Sequence, residues 1–135
     1  MPPPKLAKAL SRILGVVLLI FGIASFLPNP LIGEDGYFAA NPLHGALYIL
    51  VALTLVIFSM KGETMAAAGL YFSGVLFLAL GVLGYRELDP HPYGNVSLFG
   101  VILYSHSDMW LSFALSAVLF VSGKMNTASR QIIRD

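Results

Sequence analysis

Four predominantly apolar stretches without a single Asp, Glu, Lys or Arg set the terms for any fold this chain can adopt: residues 13–33, 36–60, 64–85 and 109–123. A helix rises about 1.5 Å per residue, so roughly 20 residues cross a hydrocarbon core of about 30 Å. The second and third stretches reach that length, the second with a helix beginning at Pro42. The first is apolar over 13–27 and the fourth has only 15 residues, so Lys8, Arg12 or Lys124 must snorkel toward the interface. The expected spans are about 10–27, 42–60, 65–85 and 107–123, with longer connections over 28–41 and 86–106.

Composition removes the competing classes. Apolar residues make up 57% of the chain and charged residues 11%, with a mean hydropathy of +0.79. A soluble domain carries about 25% charge. Eight basic and seven acidic side chains cannot clothe the surface of a water-soluble protein this small. Disorder requires low hydrophobicity and is excluded too. A net charge of +1 gives no electrostatic footprint for nucleic acid. Cysteine is absent, which removes disulfides, thiol redox chemistry, cysteine nucleophiles and thiolate metal sites. The expected fold is an all-α membrane protein, an up-down bundle of four transmembrane helices, in a single domain over 1–135.

A basic start (Lys5, Lys8, Arg12) before an apolar run also fits a signal peptide. Ala24-Ser25-Phe26-Leu27-Pro28 is a poor small-residue cleavage site, so the first stretch reads as a retained membrane helix. Orientation follows from the basic residues. With a cytoplasmic N-terminus, Lys5, Lys8, Arg12, Lys61, Lys124, Arg130 and Arg134 lie inside and only Arg86 outside. Five acids, Glu34, Asp35, Glu87, Asp89 and Asp108, then lie outside, and both termini are cytoplasmic.

The two halves share local patterns that suggest tandem duplication of a helical hairpin. Gly15 to Gly22 and Gly74 to Gly81 enclose leucine-rich runs with the same glycine spacing. Each first helix is followed by a short apolar piece, 31–40 in one half and 96–104 in the other, too short to span and expected at the interface or over the helix ends. Asn41-Pro42 supplies an N-cap and a proline at the first helical position. Ser107-Asp108 is expected to cap the fourth helix, with Asp108 at the positive end of its dipole. Lys61-Gly62-Glu63-Thr64 makes a tight turn between antiparallel neighbours. Gly15 and Gly22, and likewise Ala67, Gly74 and Gly81, form smooth seven-residue stripes that let helices approach closely.

No ionisable Asp, Glu, Lys or Arg falls within the hydrocarbon part of a span. Pumps and ion-coupled transporters need such groups, and nothing pairs a nucleophile with a base, so an enzyme is not expected. His44, His91 and His106 all fall on the outer side. His44 and Tyr48 form an i, i+4 pair on the second helix, and Asp108 and Ser112 form one on the fourth. If the halves are related, His44 corresponds to Asp108 and Tyr48 to Ser112, 64 positions on. Asn41, His44, Tyr48, Asp108 and Ser112 therefore read as a polar cluster. Its bland role is a hydrogen-bond network that fixes helix register. Its functional role would be to hold a metal, a chlorin-type pigment or a lipid head group around His44, His106 and Asp108. No HxxxH or HExxH spacing supports a metal, and no cofactor is expected. Tyr37, Tyr85, Tyr93, Tyr104 and Trp110 read as an aromatic belt at the outer boundary. Asn95-Val96-Ser97 fits a glycosylation acceptor.

At Asn41-Pro42-Leu43-His44 and Asp108-Met109-Trp110-Leu111 the chain resembles a group of small bacterial four-helix membrane proteins forming a domain family of unknown function. That family has Asn-x-x-His followed four residues later by a second His on helix two, and Asp-x-x-Leu-His on helix four. Here Tyr48 and Ser112 stand where those second histidines would be. The resemblance implies a bacterial inner-membrane location and assigns no particular activity, and the missing histidines weaken any shared metal or haem role. The expected function is that of a non-enzymatic accessory or stabilising subunit of a larger membrane complex. Its partners would be the lipid bilayer and another membrane protein or a second copy.

Overall fold

A computed structural model of the protein describes residues 6–27, 29–33, 38–39, 41–88, 96–99 and 102–134. Lys5, Glu34, Asp35, Tyr37, Asp89, His91, Tyr93 and Asn95 lie outside the described residues. Four helices carry the fold: α1 (Leu6–Ala24), α2 (Pro42–Met60), α3 (Glu63–Leu88) and α4 (His106–Arg134). Two short strand pairs accompany them, β1 (Ile32–Gly33) with β2 (Phe38–Ala39) and β3 (Val96–Leu98) with β4 (Ile102–Tyr104). Three of the helices, α1, α2 and α3, are long and apolar enough to cross a membrane.

The helix limits have local causes. α2 occupies the expected 42–60. α1 starts earlier than expected, at Leu6, because Glu63 of α3 reaches back to accept the Lys8 amide at 3.2 Å. It also stops earlier, at Ala24. There the side chain of Asn29 donates to the carbonyls of Ala24 and Leu27 at 2.7 and 2.8 Å and accepts the Leu31 and Ile32 amides. One asparagine thus satisfies the helix end and starts the loop. Gly62 turns α2 into α3 at φ 129°, a conformation that favours glycine. α4 runs on past the apolar window at Gly123 to Arg134.

α1 packs chiefly on α2, and α3 on α4. Glycines permit both close approaches. A Cβ on Gly15 would meet Val56 Cγ2 at 2.9 Å, and one on Gly22 would meet Ile49 Cγ1 at 2.7 Å. In the second hairpin, Gly74 faces the Phe120 ring at 3.3 Å and Gly81 the Phe113 ring at 2.8 Å. Ala67 is buried on the same helix. Serines add directional bonds across the pairs: Ser11 donates to the Leu55 carbonyl at 2.7 Å, and Ser116 donates to the Gly74 carbonyl at 2.8 Å. Arg12 Nε donates to Ser59 Oγ at 3.2 Å.

These contacts repeat at fixed offsets. Gly15, Gly22 and Arg12 lie 59 positions before Gly74, Gly81 and Tyr71, while Val56, Ile49 and Ser59 lie 64 positions before Phe120, Phe113 and Gly123. These three pairs in contact in the first hairpin each have a counterpart in contact in the second, including Tyr71 against Gly123. Strands β1 and β2 shift by the same 64 positions onto β3 and β4. The pairing direction differs, parallel in the first and antiparallel in the second. The change from 59 to 64 is absorbed by α3, which continues to Leu88, five residues past the counterpart of the α1 end.

Candidate functional site

The polar cluster is built on the N-termini of α2 and α4. Asn41 holds an extended backbone, and its side-chain oxygen accepts the His44 amide at 3.0 Å. Pro42 opens the helix, where a missing N–H costs nothing. The cap of α4 differs from the expected Ser107-Asp108. Ser105 is the capping residue: its hydroxyl oxygen accepts the Asp108 amide at 3.3 Å, and its carbonyl accepts the Met109 amide at 3.0 Å. Asp108 Oδ2 in return accepts the Ser105 amide at 2.9 Å and the Ser105 hydroxyl at 2.8 Å. This reciprocal box needs an acceptor three residues beyond the cap, so the position of Asp108 selects Ser105 and leaves Ser107 inside the first turn. His44 and Asp108 thus hold the same third helical position of their helices, 64 residues apart.

Tyr104 joins the two helix ends. Its ring stacks on His44 with centroids 5.8 Å apart, and His44 stacks on Tyr48 at 5.0 Å. Its hydroxyl donates to Ser112 Oγ at 2.6 Å and lies 3.2 Å from the Asp108 carbonyl. Tyr48 continues the aromatic core onto Phe77 at 5.8 Å and Phe21 at 5.1 Å. The structure therefore places His44, Tyr48, Asp108 and Ser112 around one shared interior, with Tyr104 as the link from the strand beside α4 and the half-buried Asn41 capping α2 beside it. Tyr104 was expected in the aromatic belt and is instead fully buried. The short β3–β4 hairpin folds back over the helix ends and turns Leu98 and Tyr104 inward. Tyr85 and Trp110 do lie on the surface, 57% and 67% exposed.

Burial decides what this cluster can do. His44, Tyr48, Tyr104, Asp108 and Ser112 are each at most 1% exposed. Burial pushes the Tyr104 phenol well above its ordinary value, the bond with Ser112 opposing and the Asp108 charge adding to the rise. Tyr104 is therefore a neutral donor at physiological pH. Among the described residues no three His, Cys, Asp or Glu side chains gather as a metal would require. His106 points elsewhere. It lines an open groove of about 480 Å³ with Phe38, Ser107, Trp110, Leu111 and Ala114.

Sequence reasoning missed Tyr104 and Ser105. A Ser-x-x-Asp box before an apolar run marks Ser105 from local sequence alone. Nothing local marks Tyr104, since its role depends on the hairpin returning it to α2.

No family model, curated protein or solved structure matches the chain. Its class rests on its own helices. With three of them long and apolar enough to span, it is a helical membrane protein.

Proposed function

We propose that this protein is a non-enzymatic, multi-pass accessory or stabilising subunit of a larger membrane complex, partnered by another membrane protein or a second copy. The closure of its polar cluster carries this reading. His44, Tyr48, Tyr104, Asp108 and Ser112 are turned onto one another and sealed from solvent, so their chemistry serves the bundle rather than a substrate. On this reading α4 is a fourth span, and both termini and Lys61 face the cytoplasm. The resemblance at Asn41, His44, Asp108 and Leu111 supports a bacterial inner-membrane location. The matched contacts at offsets of 59 and 64 favour a duplicated hairpin as its origin.

Purification from native membranes in mild detergent tests the proposal. A stoichiometric partner that survives two orthogonal separations, and whose level falls when this chain is deleted, supports the subunit. A chain that purifies alone, with its deletion leaving other membrane proteins unchanged, defeats it. Bound metal or a visible absorption band would move the function to a ligand site at the outer face. One observation favours the lipid form of that second reading: the groove beside His106 is surface-accessible, whereas His44 and Asp108 are not.

A further inference from the structure

The groove on α4 has a graded lining. His106 and Ser107 stand at its rim, in the first turn of the helix, with Trp110 and Leu111 one turn further and Ala114 below them. Phe38 of β2 closes one side. From His106 to Ala114 the helix descends about 12 Å, most of one leaflet of a 30 Å core. The apolar floor does not end there. Trp110, Ala114, Val118 and Val121 are all exposed and follow one another at three- and four-residue spacing down the same face. The groove thus heads an exposed apolar stripe, which on a spanning α4 would be polar at head-group depth and apolar at acyl-chain depth. Among the described residues the lining carries no acid; the Asp108 carboxylate that follows it is bound to Ser105. The His106 imidazole and the Ser107 hydroxyl there are groups that suit a phosphate oxygen.

From this gradient we infer a specific site for an outer-leaflet phospholipid, its phosphodiester at His106 and Ser107 and one acyl chain along Trp110, Leu111 and Ala114. The inference rests on α4 being a membrane span and deepens the lipid form of the second reading. A lipid held here would also bridge β2 of the first hairpin to α4 of the second.

Trp110 is the only tryptophan in the chain, so the groove contains its own reporter. Full-length protein in detergent is titrated with a phospholipid brominated on one acyl chain, and separately with a diacylglycerol carrying the same chains. Trp110 fluorescence should be half-quenched at a mole fraction at least five-fold lower for the phospholipid. His106→Ala should remove most of that preference. Ala114→Phe, at an exposed position that burial does not constrain, should fill the floor and abolish it without changing the thermal midpoint. Coincident curves for the two lipids, or variants that leave the phospholipid curve in place, would overturn the site. A further control separates this failure from a failure of the span. In vesicles made wholly of the brominated phospholipid, strong quenching without selectivity removes only the specific site. An unquenched Trp110 there ends the proposal because protein covers the groove or α4 lies outside the bilayer, which compartment reporters on the two ends of α4 then tell apart.

Discussion

Gly22 and Gly81 occupy matching places in the two hairpins, yet alanine should act differently at different members of the glycine set. At Gly22 an added Cβ would lie 2.7 Å from Ile49 Cγ1, 2.9 Å from the Gly45 carbonyl oxygen and 3.1 Å from the Ile49 amide nitrogen. Two of those three atoms are α2 backbone, which cannot yield without moving the whole helix. Overpacking of this kind costs about 1–3 kcal/mol. Replacing a helical glycine by alanine returns up to about 1 kcal/mol of helix propensity, so with backbone neighbours holding the cost near the top of its range Gly22→Ala should lose about 2 kcal/mol net. At Gly74 the nearest atoms belong to the Phe120 ring at 3.3–3.4 Å. A ring can tilt by a few tenths of an ångström, and Gly74→Ala should be neutral or slightly stabilising. Gly81 falls between, with its three nearest atoms all on the Phe113 ring at 2.8–3.1 Å, and Phe113→Leu should relieve Gly81→Ala. The assay is the thermal midpoint of the full chain in detergent, followed by Trp110 fluorescence and by size-exclusion recovery. A Gly74→Ala variant that falls as far as Gly22→Ala would show that ring and backbone neighbours are equally unyielding, and would refute the reasoning.

Tyr104→Phe and Ser112→Ala should each lower stability by about 1–3 kcal/mol, since each leaves a buried hydroxyl short of a partner; the double variant should lose less than the sum, and strict additivity would dissolve the pair. The raised Tyr104 pKa has a signed consequence: its contribution is complete below the free phenol value of about 10 and is lost as pH climbs beyond it. Thermal midpoints measured between pH 9 and pH 12 should therefore fall less steeply for Tyr104→Phe than for the parent. Ser105→Ala removes the α4 cap and should cost about 0.5–2 kcal/mol, whereas Ser107→Ala should be close to neutral, and the reverse order in denaturation curves would restore Ser107 as the cap. Reporter fusions after Asp135 and within 89–93 should read opposite compartments, and the same compartment for both would remove either the fourth span or the topology.

Charge-free length made the bundle legible, because hydrocarbon tolerates few alternatives to a helix. The limits of α2 could be read closely because Asn41-Pro42 is a local signal. α1 could not be bounded in the same way. Its start depends on Glu63, 55 residues away from the Lys8 amide it accepts, and its end depends on Asn29, which works between two prolines outside the apolar run. α4 outran its apolar window because hydropathy marks where a helix can be immersed, not where its hydrogen bonds stop. In the site, the i, i+4 pairs were visible as helical spacing, while Tyr104 looked like one more interfacial aromatic until the β3–β4 hairpin carried it inward. The capping box was a local signal that a serine two residues nearer to Asp108 obscured.

The two hairpins also show how matched positions can diverge and still fill one interior. Tyr48 on α2 corresponds to Ser112 on α4, a large ring against a small hydroxyl. Two tyrosines at both places would crowd the space that Tyr104 occupies, and two serines would leave it without the stack that runs from His44 through Tyr48 to Phe77. With one of each, Tyr48 supplies the aromatic wall and Ser112 makes room for the Tyr104 hydroxyl and bonds to it at 2.6 Å. His44 and Asp108 differ in the same complementary sense. Both sit in the third helical position, but the imidazole stacks on two tyrosines while the carboxylate turns back to cap its own helix. The asymmetry ties the hairpins to each other, because the first supplies His44 and the Tyr48 ring while the second supplies Tyr104 and the Ser112 hydroxyl that fill the same interior.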